Sequence, residues 1–390
     1  MISVEKALKF VHSQKVKLKS GLSISTRNGL GYVLSGDLIA PISLPNFRQS
    51  SMDGYGLSDT KSLTYKVVGE IKAGDYYKKK INKGEAIRIF TGAHVPDSVK
   101  SVVIQEKVVF ENNNIKLDEL PKLYSNIREK GDQIKKGEIA LKKGFLLNEA
   151  SLGLISSLGI KKIKVYEKPK ISILITGNEL ISTDKKLKPG KVYDSNSILL
   201  KNVLKMNGIT KLNLYKVRDN KTNTFNSIKK AFTVSDLVII SGGISVGKYD
   251  YVKECLNDFG IKKLFYKVNQ KPGKPLFFGR KDNKFVFALP GNPGSTLTCY
   301  HIYVKNFIYK LMGKKKYYSD KFSVNLKHPL KYDEKREVFL KGYYENNYVT
   351  SLNHQKSFKM IGFANANCLI HLEKGKKNLK QNSKVDIILI

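Results

Sequence analysis

The segment Ser241-Gly-Gly-Ile-Ser-Val-Gly-Lys-Tyr-Asp-Tyr251 combines a glycine turn with a carboxylate, Asp250. It follows the apolar run Asp236-Leu-Val-Ile-Ile240 and precedes a helical pattern from Val252 to Phe259. A strand feeding a glycine turn and then a helix presents backbone N–H groups that can hold an anion. Here Ser241, Gly242, Gly243, Ser245 and Gly247 are the candidate cradle. A carboxylate in that cradle repels an anion unless a metal ion lies between them, so the pattern suggests a metal-bound or oxyanionic ligand. Lys271-Pro-Gly-Lys-Pro275 adds two ammonium groups, Lys271 and Lys274, on a restricted backbone. Lysine is a compact, strongly hydrated charge suited to phosphate and oxyanions. Pro290-Gly-Asn-Pro-Gly294, with Pro290 and Pro293, is a rigid turn after Phe285-Val-Phe-Ala-Leu289. Either turn alone reads as an ordinary connection; three of them at strand ends in one stretch argue for a site.

Two further strand ends carry acids. Gly177-Asn-Glu179 ends one apolar run and Val217-Arg-Asp-Asn220 the next, so Glu179, Asp219 and Asp250 terminate three consecutive strands. Such a trio suits Mg²⁺, which takes one or two carboxylates, keeps waters and bridges to substrate phosphate. Each acid alone reads as a solvated loop carboxylate or a helix cap; the repeated strand-end position favours function for the set. Asp53 in Ser50-Ser-Met-Asp-Gly-Tyr55 and Thr91 in Arg88-Ile-Phe-Thr-Gly-Ala93 each precede a glycine, where a tight turn explains either. The motifs contain no histidine or cysteine to serve as a covalent nucleophile, which fits metal-assisted hydrolysis better than a Ser-His mechanism.

The elements that must position these groups are legible from residue 169 onward. Lys170-Ile-Ser-Ile-Leu-Ile-Thr176 has the near-continuous apolar character of a strand buried on both faces. Helical spacing follows at 197–207, a strand at 211–217, a helix at 223–232, and strands at 236–240, 263–268 and 285–289. A long helix is expected over 294–312, closed by Gly313. This alternation predicts a doubly wound, mostly parallel sheet, with ligands at the carboxyl ends of its strands. Short segments at 63–68, 85–89, 102–109 and 115–117 predict a β domain over 40–137, and those at 322–326, 338–344, 368–372 and 385–389 a second β region over 318–390. A short helix is expected at 150–158. The remaining pieces, 21–39 and 138–168, form a small linking domain, and 1–20 joins 169–317.

The chain has 390 residues, enough for two to four domains at about 150 residues each. No apolar run approaches the roughly 18 residues that span a bilayer. The start, Met1-Ile-Ser-Val-Glu-Lys, lacks a secretory apolar core. Cys255, Cys299 and Cys368 form neither a disulfide framework nor a zinc spacing. The expectation is a reducing cytoplasm and no membrane. Seventy basic against 33 acidic residues give a net charge of +37, the usual footprint of a nucleic-acid binder. The lysines are spread along the whole chain, so a solvated surface explains them better than a specific nucleic-acid site.

Six motifs in order carry a resemblance: Pro45-Asn-Phe-Arg-Gln-Ser-Ser-Met-Asp-Gly-Tyr55, Arg88-Ile-Phe-Thr-Gly-Ala93, Thr176-Gly-Asn-Glu-Leu180, Ser241 to Gly247 with Asp250-Tyr251, Lys271 to Pro275, and Pro290-Gly-Asn-Pro293. The chain resembles the molybdopterin molybdenumtransferases, the MoeA family that includes the gephyrin E domain, over its whole length. The resemblance implies an enzyme of molybdenum cofactor biosynthesis that takes adenylylated molybdopterin and molybdate, inserts molybdenum and releases AMP, assisted by Mg²⁺. It implies a molybdopterin-binding α/β domain, a β lid and a C-terminal β-barrel. It assigns Asp53, Thr91, Glu179, Asp219 and Asp250 as the catalytic polar set, and Glu179, Asp219 and Asp250 as metal ligands. Lys271 and Lys274 would hold phosphate or molybdate, while Pro290 and Pro293 shape the pocket. It further implies a homodimer with the site between subunits, and the molybdopterin adenylyltransferase as a partner. Two departures stand out: Asn178, where the family often has Asp, and Asn353-His-Gln-Lys-Ser-Phe358, where it usually has a glycine- and serine-rich stretch. Two rival readings remain open, an adenylyltransferase acting one step earlier and a non-catalytic scaffold.

Overall fold

Alternate residues of the central strand point into different apolar layers, and that alternation organises the molecule. Ile171, Ile173 and Ile175 enter one core while Leu174 enters the other; Phe285, Phe287 and Leu289 repeat the pattern against Val286 and Ala288. A strand buried on both faces needs apolar side chains at both parities, hence the continuous runs. The computed structural model describes residues 1–19, 21–244, 251–315 and 321–390. The sheet runs in the order Leu212–Val217, Ile171–Thr176, Leu237–Ser241, Lys284–Leu289, Phe277–Lys281, Lys262–Tyr266. The first four strands are parallel and the last two antiparallel. Helices Asn196–Met206, Lys221–Val234 and Val252–Asp258 connect or flank them, and the N-terminal helix Val4–Ser13 packs through Val4, Ala7 and Val11 into the same core.

Three details differ from the sequence expectation. The 263–268 run forms an antiparallel edge strand, because Phe277–Lys281 pairs between it and Lys284–Leu289. That hairpin turns at Asp282, whose φ of 55° places it in the left-handed region that Asp tolerates. The expected helix at 294–312 is helical from Pro293 to Leu311 but winds as a π-helix over Tyr300–Val304. The expected strand at 102–109 is two strands, Ser101–Ile104 and Val108–Glu111, separated by a short helical turn at Gln105–Lys107.

The first β region is a six-stranded sheet between Gly54 and Leu117. The segments around it join Leu22–Ser25 to Lys162–Val165, and the helix Glu149–Ser157 is capped by a reciprocal Asn148–Ser151 pair. The C-terminal region closes into a five-stranded barrel: Glu337–Glu345 pairs with both Tyr348–Ser351 and Cys368–Leu372, and Lys321–Leu326 and Lys384–Leu389 complete the ring. The short strand Gln270–Lys271 leaves the α/β domain and pairs with Glu337 and Val338. The lysine loop is thereby hydrogen-bonded to the barrel edge.

Candidate active site

The chain passes from Ile171–Thr176 to its neighbour on one side, then to Leu237–Ser241 on the other, so the crevice between them is a topological switch point. Open α/β sheets bind ligands there, outside the carboxyl ends. A cleft of about 560 Å³ occupies this position, lined among others by Thr176, Glu179, Asp219, Ser241, Gly242 and Gly243. Pro290, Gly291, Asn292 and Pro293 close one side, and Pro275 also reaches it.

The glycine turn depends on having no side chains. Gly242 has φ +97°, and a Cβ there would lie 2.6 Å from the Thr176 carbonyl oxygen and 2.7 Å from its hydroxyl; Gly243 has φ +62°, with Val252 2.7 Å from its would-be Cβ. Only glycine combines this backbone with so close an approach. Beneath the turn, the Thr176 hydroxyl is buried without a hydrogen-bond partner among the described residues. The two acid-bearing strand ends clasp each other: the Asn178 N–H donates to Asp219 Oδ2 at 3.0 Å, and the Asp219 N–H donates to Asn178 Oδ1 at 3.1 Å. Asn178 thus orients Asp219, while Glu179 stands exposed at the cleft.

Residues that motif reading passed over complete this wall. Asn196 donates through Nδ2 to Ser241 Oγ at 2.9 Å and to the Gly291 carbonyl at 2.7 Å, tying the two turns together. Since that carbonyl can only accept, Nδ2 must face it, and Oδ1 is left buried without a partner among the described residues. Asp194 is buried and receives the Ser197 N–H at 3.0 Å, the Ser197 hydroxyl, and Lys216 Nζ at 3.1 Å. Burial pushes its carboxyl up, but the Ser197 hydrogen bonds and Lys216 outweigh that, and the net shift is downward. The sequence did carry a signal, since Asp194-Ser-Asn196 immediately before a helical pattern is cap chemistry.

Asp53 and Thr91 come together, but in the lid. Thr91 donates both its N–H and its hydroxyl to Asp53 Oδ1, each at 2.7 Å. These bonds, with Arg88 a lesser influence, hold the Asp53 carboxyl below its usual range. Neither residue lines the switch-point cleft. Lys271 does not line it either, and ion-pairs with Glu334 of the barrel region. Lys274 is exposed beside Pro275. Ser245, Gly247 and Asp250 lie outside the described residues.

Lys271 instead borders a second cleft of about 430 Å³ between the lysine loop, Ser295 and the barrel residues Arg336, Lys356 and Ser357. Arg336 is anchored by donating through Nη1 to the Gln270 carbonyl at 3.2 Å. Pro272 and Gly273 face this cleft while Pro275 faces the first, and Ser295 faces it while Pro293 faces the first. The two clefts therefore adjoin along the same two segments. Their charges differ. Among the described lining residues, the first has Glu179, Asp194 and Asp219 and no Lys or Arg, whereas the second has Lys271, Arg336 and Lys356 against Glu334 alone.

No group of three or more metal-ligating side chains occurs among the described residues. Glu179 and Asp219 still match Mg²⁺, which needs only one or two protein carboxylates beside water and substrate phosphate. An acid-lined cleft fits a phosphate ligand only with such a cation between them.

Three family models tile the chain: the MoeA N-terminal region (domains I and II) over residues 2–159, a probable molybdopterin binding domain over 172–310, and the MoeA C-terminal region (domain IV) over 323–390. A molybdopterin molybdenumtransferase of Haemophilus influenzae is 37% identical over 365 residues, covering 91% of this chain and 90% of its own. The chain belongs to the molybdopterin molybdenumtransferase family. A Staphylococcus epidermidis member is 33% identical over 404 residues, spanning 100% of this chain and 95% of the relative. The molybdopterin biosynthesis MoeA protein of Pyrococcus horikoshii superposes over 100% of both chains with a TM-score of 0.83 at 26% identity. The match is thus to a whole family member, lid and barrel included.

Proposed function

We propose that this protein inserts molybdenum from molybdate into adenylylated molybdopterin and releases AMP. Family membership supports the reaction class. The observation that carries the finer reading is the division of charge between two adjoining clefts. A pterin nucleotide is long and needs a large cleft with a close backbone approach, which the Gly242–Gly243 turn offers. Molybdate is a compact dianion, disfavoured beside Glu179 and Asp219 (Asp194 is already paired with Lys216) and favoured beside Arg336 and Lys356, with Lys271 shared with Glu334.

In this reading Asn196 and Thr176 supply polar contacts to the pterin nucleotide, and Pro290 and Pro293 hold the wall rigid. Ser241, Ser245, Gly247 and Asp250 belong to the same candidate set. Glu179 and Asp219, with Asp250, would hold Mg²⁺, which neutralises charge on a phosphoanhydride when bound. Glu179, exposed at the cleft mouth, orients the attacking water, and Asn178 keeps Asp219 aimed. Lys271 and Lys274 carry the oxyanion along the loop that separates the clefts. We further infer a homodimer in which the Asp53–Thr91 pair of a second copy covers the first cleft, since within one chain that pair stands apart from it. The adenylyltransferase that makes the substrate is the expected partner.

The test is a defined incubation. AMP should appear only when adenylylated molybdopterin, molybdate and Mg²⁺ are all present, in step with formation of cofactor able to activate a molybdenum enzyme lacking it. Synthesis of adenylylated product from ATP and molybdopterin would instead identify an adenylyltransferase. Molybdate-independent AMP release would also overturn the reading.

A further inference from the structure

The barrel strand Glu337–Glu345 buries a lysine. Lys341 is 3% exposed, and among the described residues no carboxylate pairs with it. Its ammonium donates to three main-chain carbonyls, those of His354 at 2.6 Å, Lys356 at 3.2 Å and Lys359 at 3.2 Å. Three donors meet three acceptors, which is what allows a charge to be buried without a counter-ion. The Phe363 ring centroid lies 5.4 Å from the ammonium.

The backbone of the same residue holds the same segment. The ladder from Glu337–Glu345 to Tyr348–Ser351 ends at Gly342 and Ser351. One residue further, the Lys341 N–H donates to Gln355 Oε1 and the Gln355 Nε2 donates to the Lys341 carbonyl, both at 2.9 Å. The Leu352 N–H also donates to that carbonyl at 3.0 Å, so the Gln355 amide completes a rung that the backbone makes only in part. From the opposite side, the Gly294 N–H donates to the Ser357 carbonyl at 2.9 Å, and Asn292 Nδ2 donates to Ser357 Oγ at 3.3 Å. The fit leaves no slack: a Cβ on Gly294 would lie 2.5 Å from the Ser357 oxygen. The 353–359 segment is therefore gripped between Lys341 and the Pro290–Gly294 turn, and its Gln355, Lys356 and Ser357 form one rim of the second cleft.

We propose that Lys341 is a positioning residue for the second cleft: its ammonium clamps the 353–359 segment and so fixes the Lys356 and Ser357 rim against the Pro290–Gly294 turn. Removing it leaves the His354 and Lys359 carbonyls without a donor among the described residues and the Lys356 carbonyl with the Lys359 N–H alone, and the segment regains the lost bonds only by moving toward water. The clamp stands on geometry alone; its effect on molybdate rests on the proposed division of the two clefts.

The test compares wild-type protein with Lys341→Ala, with and without propylammonium, by hydrogen exchange and steady-state kinetics. In Lys341→Ala, exchange within 353–359 should accelerate about tenfold or more and KM for molybdate should rise about tenfold, as expected for losing hydrogen bonds to a charged group. The KM for adenylylated molybdopterin and exchange in the barrel strand Cys368–Leu372 should stay unchanged, and propylammonium should reverse both effects. Unaltered exchange in 353–359, or an equal loss of protection throughout the barrel, overturns the clamp. If exchange responds and is rescued while KM for molybdate does not move, the clamp holds and the assignment of molybdate to this cleft fails. Should Lys341→Ala not fold, Lys341→Met keeps the apolar stem and should show the same segment-specific loss without rescue.

Discussion

The two clefts share walls yet are built in opposite ways. The first is made mostly from strand ends of one sheet: Thr176, Asp219 and Ser241 sit at or just beyond the carboxyl ends of neighbouring strands, with acids and glycine backbone at its mouth. The second is assembled across a junction, with Lys271 and Ser295 from the α/β domain facing Arg336, Lys356 and Ser357 from the barrel. In the proposed reading one would bind through backbone shape and a bridging cation, the other through fixed positive charge. Two negatively charged substrates would on that reading be kept apart until they meet at the loops between.

The largest test of that contrast is Glu179→Gln. Since Glu179 is exposed, the melting temperature should hold while AMP release falls by about a hundredfold or more; turnover within a few-fold of wild type would remove this carboxylate from the chemistry. Arg336→Ala probes the other side. It should raise KM for molybdate by about ten- to a hundredfold with kcat nearly kept, the signature of lost ground-state binding. An equal rise in KM for the pterin nucleotide would merge the two clefts into one site.

Gly242→Ala comes next. With φ at +97° and Thr176 2.6 Å from the new methyl, it should cost about 1–3 kcal/mol of stability, measured by denaturant unfolding, and weaken pterin nucleotide binding before molybdate binding. Asp194→Asn should act mainly through pH. The folded carboxyl is held down, so the unfolded chain takes up its proton at higher pH, and between those values stability rises with pH. The wild type should exceed the variant in melting temperature at pH 7, with the gap closing as pH falls through about 4 and below. A gap independent of pH would show that Asp194 contributes packing alone. Smallest is Lys271→Met: the half-exposed pair with Glu334 should change stability by less than about 1 kcal/mol in thermal unfolding, leaving its effect on molybdate binding readable by itself.

The contrast also explains what could be read before any coordinates. The first cleft was legible because strand, turn and helix are contiguous in the chain: Ser241-Gly-Gly243 and Gly177-Asn-Glu179 announce strand ends, and the apolar runs before them announce a buried sheet. Asn196 escaped because its work, joining the Ser241 and Gly291 turns, is done between segments far apart in the chain. The second cleft escaped for the same reason. Arg336 and Ser357 lie in barrel segments with no local motif; long-range contacts bring them to the cleft, Arg336 through the Gln270–Lys271 pairing and its bond to the Gln270 carbonyl, Ser357 through Gly294 and Asn292. The π-wound turn at Tyr300–Val304 left no mark on the helical periodicity. There Tyr303 donates to Gln270, whose amide donates to the Pro272 carbonyl at 2.9 Å, so the turn supports the lysine loop. The asparagine-bearing 353–358 segment looked like a departure from the family pattern, and its anchor, Lys341, is a lysine in an otherwise ordinary strand.

The most direct measurement of the division of labour is anomalous diffraction at the molybdenum edge from crystals soaked with molybdate and AMP together. The account predicts a molybdenum peak beside Lys271, Arg336 and Ser357, with the nucleotide in the cleft of Gly242, Glu179 and Asp219. A molybdenum peak inside the acid-lined cleft, or displacement of molybdate by AMP, would contradict it.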